Sequence, residues 1–182
     1  MESLKEKQNK IFDLMKGDFG YVNIMQTPKI EKIVVNVGTG STVDKKKIEL
    51  IEDRITKITG QKPSPRKAKL SIAAFKLREG SDVGYQSTLR GKRMVDFFDK
   101  VVNIALPRMK DFRGLSRKGV DAMGNYTLGI KDHTIFTEAS DEELKNVFGM
   151  SITIVTTAKS KKEAVFLLES LGWPFEKMDA KK

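Results

Sequence analysis

Apolar and polar positions change period several times along the chain, and each change predicts an element. Residues 1–17 carry Leu4, Ile11, Phe12, Leu14 and Met15 at helical spacing, with Gly17 as the expected stop. After Pro28 the period becomes two. Over Lys29–Val37, Ile33, Val35 and Val37 point one way and Lys32, Val34 and Asn36 the other, which predicts a strand with one buried and one exposed face. Ile48, Ile51, Ile55 and Ile58 restore the helical step over 44–59, and Gly60 stands where a C-terminal glycine cap belongs. Pro63 and Pro65 keep the next stretch extended. Ser71–Leu77 and Val83–Arg90 then predict two strands of a hairpin, joined through the turn residues Arg78, Glu79, Gly80, Ser81 and Asp82.

In the second of those strands Val83, Tyr85, Ser87 and Leu89 share one side, and Gly84, Gln86, Thr88 and Arg90 the other. Lys92–Ala105 predicts a helix with Met94, Phe97, Phe98, Val101, Val102 and Ala105 inside, ended by Pro107. Residues 108–125 form a glycine-rich, charged loop, long enough to be functional or mobile. Tyr126–Ile130 and Met150–Thr157 predict strands; in the latter Ile152 and Ile154 oppose Thr153 and Val155. Ser140 with Glu143, and Ser160 with Glu163, read as capping boxes over two helices. The last helix uses Val165, Leu168 and Leu171 and stops at Gly172 before Pro174, leaving 176–182 as a frayed tail. With no internal repeat and no linker, residues 1–182 are expected to be one domain. The expected class is α+β: a mainly antiparallel sheet with helices packed on one face and the other face open.

Charge gives that open face a partner. The chain has 182 residues and a net charge of +10, and the 33 residues Gln61–Arg93 hold +7 of it. A dense cationic surface on strands attracts polyphosphate, because each phosphate contact releases condensed counterions. RNA is therefore the expected partner. The candidate contacts are Lys62, Arg66, Lys67, Lys69, Lys92 and Arg93, with the small polar row Gln86, Thr88 and Arg90. Asn36 fits either a base or ribose contact or the start of the turn at Gly38. The basic face of the first helix (Lys5, Lys7, Lys10) reads as solvated. A charged N-terminus unlike a signal peptide, and no apolar run near the ~20 residues that span a bilayer, predict a soluble cytoplasmic chain with no membrane partner.

Little in the chain suggests chemistry. There is no cysteine, and His133 is the only histidine, so no metal or cofactor is expected. Gly38-Thr39-Gly40-Ser41 resembles a phosphate-cradling turn, but Val43 replaces the third glycine and no G-K-[ST] occurs. Phe75, in register with Ala73 and Leu77, is expected in the core, while Tyr85 could stack on a base or pack inside. A nucleotide-dependent enzyme using Gly38–Ser41, and a module for an acidic protein partner, are the alternatives.

Several segments together resemble a known family. They are PKIEKIVVNVG (28–38), GQKP (60–63), RKAKLSIAAFKLREG (66–80), TLRG (88–91), LPRMKDFRG (106–114), GNYTLGI (124–130), GMSITIVTT (149–157) and LGWPF (171–175). In this order they are similar to bacterial large-subunit ribosomal protein five. The resemblance implies a non-enzymatic ribosomal protein that binds 5S rRNA and anchors it in the central protuberance. It also implies contacts to large-subunit rRNA and peptidyl-site tRNA, and a bridge to small-subunit ribosomal protein thirteen. On the same ground Asn36, Gln61, Arg66, Ser71, Thr88 and Arg90 match the 5S rRNA surface. The loop with Arg78, Glu79, Gly80, Ser81 and Asp82 matches the tRNA-facing loop. Lys110, Arg113, Arg117 and Lys118 fall on the intersubunit side. Two departures are Pro63-Ser64-Pro65, which should shorten an edge strand, and Asp82, an acid in the tRNA-facing loop.

Overall fold

Alternation after Pro28 yields β1 (Ile30–Gly38), in which Ile33, Val35 and Val37 are buried and Asn36 is exposed. β2 (Ser64–Lys67), β3 (Asp82–Leu89), β4 (Tyr126–Ile130) and β5 (Met150–Thr156) complete a five-stranded antiparallel sheet in the order β2-β3-β1-β5-β4. The helices are α1 (Leu4–Phe19), α2 (Lys45–Thr59), α3 (Gly91–Lys100) and α4 (Lys161–Ser170). The fold is α+β, as the periodicity predicts. The computed structural model describes residues 4–40, 44–75, 77–110, 112–139 and 147–176. The Ser140 capping box and the 177–182 tail lie outside them.

The chain divides into two compact units. One comprises Met1–Ile33, Arg90–Thr127 and Thr153–Lys182; the other comprises Val34–Leu89 and Leu128–Ile152. In the second unit α2 packs against β3 through the isoleucine stripe, with Ile51, Ile55 and Ile58 buried. Asp44 caps α2 by accepting from the Lys46 N–H at 3.0 Å. Gly60 closes it in the left-handed region (φ 66°), donating its N–H to the Thr56 carbonyl at 2.8 Å. A Cβ built there meets nothing within 4 Å, so Gly60→Ala isolates the backbone cost. It is expected to lower stability by about 1–2 kcal/mol, read as a fall in the urea midpoint at constant m. His133 is buried in the same unit, stacked on Phe148 at 3.9 Å, and its Nδ1 accepts the Phe148 N–H at 3.3 Å.

In the first unit α1 buries Ile11 and Met15 and packs on α3 and α4. It runs past Gly17 and ends at Phe19, with Gly20 as the stop; Leu14, expected on the inner stripe, is exposed. Two bonds fix α1 and the turn that follows it to α4. Tyr21 donates its hydroxyl to Glu163, and Lys7 Nζ donates to the Leu171 carbonyl at 3.0 Å. Lys7 is thus a cap for the C-terminal end of α4 and not merely a solvated lysine. At the other end of α4, Ser160 Oγ accepts the Glu163 N–H at 3.3 Å, and the Glu163 carboxylate accepts the Lys159 N–H at 2.6 Å. α3 buries Met94, Phe97 and Phe98, then continues through a π turn (Val101–Ala105) into a 3-10 turn (Leu106–Arg108). Pro107 therefore does not end the helix at Ala105. It sits in the opening of the final 3-10 turn, where a missing N–H costs nothing. Trp173 joins Phe98 and Tyr126 in one aromatic cluster, its ring 5.4 Å from each of theirs.

One predicted strand is absent. Ser71–Leu77 forms a short bridge, Ile72 to Leu77, around a 3-10 turn at Ala73–Phe75. The partner of β3 is instead Ser64–Lys67, in the register Ser64–Gln86, Pro65–Tyr85, Arg66–Gly84 and Lys67–Asp82, with an irregularity after Arg66. The prolines keep this stretch extended and the strand short, as expected: Pro65 is tolerated because β2 is an edge strand of only four residues. The hairpin is real, but its loop runs from Ala68 to Ser81.

Candidate RNA-binding surface

Within the second unit the outward side of β1 and β3 is a row of short polar groups. Asn36 is exposed, and Gln86 and Thr88 are half-buried. Alternation places these side chains opposite Tyr85, Ser87 and Leu89, which are buried beneath the strand. Two of these residues are held through their own main-chain carbonyls. Gln61, delivered by the left-handed turn at Gly60, donates Nε2–H to the Thr88 carbonyl at 3.3 Å. Ser151 on β5 donates its hydroxyl to the Asn36 carbonyl at 3.4 Å. Gly84, expected in the exposed row, is buried because β1 lies against it: a Cβ there would stand 2.7 Å from the Val37 carbonyl oxygen. Tyr85 is core, and burial pushes its phenol pKa up, keeping it neutral.

Cations border this row. All four β2 residues are exposed, and register puts Arg66 opposite Gly84, on the outward side with Ser64 and Gln86. Lys69 is exposed, and Lys62, also exposed, reaches Glu52 at 3.3 Å. Ser71 is exposed and accepts the Glu79 N–H at 2.9 Å, so its hydroxyl orders the loop. Arg78, Glu79 and Gly80 are exposed, with Ser81 half-buried. Asp82 is not at the loop's tip. It begins β3 at the neck, opposite Lys67.

Within the first unit, Arg90 stands at the N-terminal boundary of α3, makes no side-chain cap bond there and pairs with Glu31 at 3.3 Å, and Lys92 and Arg93 lie exposed in the first turn. Three cations at a helix N-terminus run against the dipole, which favours anions there. The arrangement costs a little in the free protein. Lys110, Arg113 and Lys118 are exposed. Arg117 is engaged within the unit, paired with Glu169 at 2.5 Å and lying 5.8 Å from the Phe175 ring centroid. The surrounding loop is tied down. Leu115 donates its N–H to the Pro174 carbonyl at 2.8 Å and accepts from the Glu176 N–H at 3.0 Å. Asn125 donates its backbone N–H to Asp121 at 2.7 Å, holding that carboxyl below the ordinary carboxylate range.

Sequence reasoning missed one prominent group. Leu70, Ile72 and Phe75 are solvent-exposed on the loop after β2. Phe75, expected in the core with Ala73 and Leu77, is among them, and nothing in the apolar pattern of 71–77 separates it from a buried strand. Among the described residues no cluster of three or more His, Cys, Asp or Glu side chains could hold a metal, and no helix is long and apolar enough to cross a membrane.

Two family comparisons fit this layout. Residues 23–78 match the family described as ribosomal protein L5, and residues 82–175 match the C-terminus of the same family. The two matches meet at the loop between β2 and β3 and together take in every strand of the sheet. The chain belongs to the ribosomal protein L5 family, whose members are structural, rRNA-binding constituents of the large ribosomal subunit and not enzymes.

Proposed function

We propose that the rRNA this chain binds is 5S rRNA, held on the outward face of β1 and β3 and thereby anchored in the central protuberance. One observation carries this reading. Asn36, Gln86 and Thr88 form a row of small donors and acceptors on paired strands, beside Gln61, with cations along its edge. Such a row can approach a sugar-phosphate backbone closely and address 2′-hydroxyls, while Arg66, Lys67, Lys69 and Lys62 neutralise phosphate. Arg90, Lys92 and Arg93 extend the basic stretch along the chain, and Ser71 orders the adjoining loop. In the same reading the protein also contacts large-subunit rRNA. The Arg78–Asp82 loop faces peptidyl-site tRNA, and Lys110, Arg113 and Lys118 face small-subunit ribosomal protein thirteen. Arg117 serves that side indirectly, by fixing the loop to α4.

The test is a gel-shift titration with 5S rRNA and with an unrelated structured RNA of equal length, at low and near-physiological salt. For both RNAs log K should fall by roughly 0.7–0.9 per neutralised phosphate for each unit of log salt. Binding to 5S rRNA should survive at the higher salt while the control is lost. Equal loss of both would sink the assignment and return an acidic protein partner to the front.

A further inference from the structure

The segment between α1 and β1 is held in place, yet it keeps three large apolar side chains in water. Asn23 accepts the Met25 N–H at 2.9 Å, and the Gln26 side chain accepts the Val22 and Asn23 N–H groups at 3.0 and 3.3 Å, closing a capping box over the 3-10 turn Ile24–Gln26. Both ends of the segment are tied to one stretch of the same unit. Tyr21 donates its hydroxyl to Glu163. Thr157 donates its N–H to the Lys29 carbonyl at 3.0 Å, and its Oγ1 accepts the Lys29 N–H at 3.0 Å. On this arch Val22 is 87% exposed, Ile24 59% and Met25 85%. Lys29, at its foot, and Lys159, Lys161 and Lys162, on the stretch that holds it, are exposed. None of the four pairs with an acid among the described residues. Glu163 is buried, and between Gly17 and Lys29 the one exposed acid is Asp18.

We propose that the Val22–Met25 turn and the lysines beside it dock an acidic, amphipathic segment of a partner protein. Its apolar side chains cover Val22, Ile24 and Met25, and its carboxylates meet Lys29, Lys159, Lys161 and Lys162. The chemistry of the patch decides between occupants. Single-stranded nucleic acid stacks its bases on aromatic faces, and here those faces are engaged inside. Phe19 lies on Tyr21 at 5.9 Å and meets Phe166 edge-on at 5.7 Å. What reaches water is aliphatic or thioether. Such side chains gain by being covered with other apolar side chains, and methionine adapts its shape to an irregular partner. A second copy of this chain would bring the same lysines against themselves, at a net charge of +10. An acidic segment meets neither obstacle, and its carboxylates also approach the N-terminal end of α4, where the helix dipole favours anions. The pre-ordered turn limits the entropy lost on contact. The residues of this patch are separate from those of the proposed 5S rRNA face, and both can be occupied at once.

The test is fluorescence anisotropy on the full-length protein, free and in complex with 5S rRNA. The probe is a labelled twelve-residue peptide of glutamate and leucine at helical spacing. Its competitors are polyglutamate of equal length, the same peptide with glutamine for every glutamate, and a twelve-nucleotide oligouridine. The probe should bind both forms of the protein, and each competitor should bind roughly 10-fold more weakly or worse. Met25→Ala should weaken the probe by roughly 5- to 30-fold with its salt dependence kept. Lys161→Ala combined with Lys162→Ala should weaken it and flatten the salt dependence. All three positions are exposed, so the urea midpoint should stay at the wild-type value, and the competitor series makes the same comparison with no variant at all. No binding of the probe, or polyglutamate binding as tightly, overturns the proposal and leaves the lysines a solvated face. Oligouridine that displaces the probe, with Met25→Ala weakening both, overturns it in favour of RNA. Probe binding abolished by 5S rRNA overturns it by placing the peptide on the sheet face, and a wild-type dimer lost in Met25→Ala overturns it in favour of a second copy. A chain that binds the probe but not 5S rRNA overturns the function proposed above and leaves this docking surface standing.

Discussion

Valine in place of Gly84 is expected to destabilise the protein by about 3 kcal/mol or more and to remove the proposed RNA-binding face with it. The first carbon of the new side chain would lie 2.7 Å from the Val37 carbonyl oxygen and 3.6 Å from the Gly38 Cα. Both are backbone, so no rotamer change relieves the clash. β1 has little room to retreat, because Ile33, Val35 and Val37 are all buried on its inner side. Thr39 also donates its N–H to the Val83 carbonyl at 2.9 Å, closing the end of the β1–β3 pair. The strands must therefore part where Asn36 and Gln86 present their amides. Alanine brings the same Cβ against the same backbone oxygen and should also destabilise, but less than valine, because it lacks the two γ-methyls. Thermal melting should fall by roughly 6 °C or more for valine, at about 2–4 °C per kcal/mol for a chain of this size. An unchanged melting temperature would mean that β1 and β3 are not in tight contact there.

Phe98→Ala is expected to cost about 3–5 kcal/mol. Phe98 is fully buried in the first unit, and its ring lies against Trp173 at 5.4 Å, which in turn meets Tyr126. Removing it deletes the transfer energy of a large ring and leaves a cavity lined by side chains that other contacts already hold. Trp173 Nε1 is buried beside it, so the tryptophan is a built-in reporter. Its emission should shift to the red and broaden in the native state, and the urea midpoint should drop. Residues of the sheet face are untouched, so RNA affinity measured where the variant is still folded should change little. A wild-type midpoint would refute the central place given to this cluster.

Periodicity made most of the fold legible. β1, α2, β3, β4 and β5 follow directly from alternation or from the isoleucine stripe, because burying one face constrains every second or every third-to-fourth residue. The same signal failed between Pro63 and Ser81. β2 is an edge strand with no buried residue, so nothing in its pattern of side chains records which face is inside. The Ser71–Leu77 stretch looks apolar enough for a strand, yet Leu70, Ile72 and Phe75 stay in water. Apolar side chains left outside cannot be distinguished from core by pattern alone. Lys7 escaped notice for a related reason: its acceptor is a backbone carbonyl 164 residues away, and carbonyls leave no trace in a sequence. The polar row Gln86–Thr88 was legible, but its fixing by Gln61 depends on the exit angle of α2 and was visible only in three dimensions.

The order of the strands bears on how the protein comes into being. β1 lies between β3 and β5, and β5 begins only at Met150. During synthesis at about 5–20 residues per second, β1 has to wait several seconds for its second neighbour. In that interval one edge of the central strand is unpaired, with Val35 and Val37 ready to join another chain. Folding driven by such distant partners is slow. The strand that carries Asn36 reaches its final setting only when the C-terminal third of the chain has been made. The β2–β3 hairpin, whose two strands and loop are local in sequence, can form first.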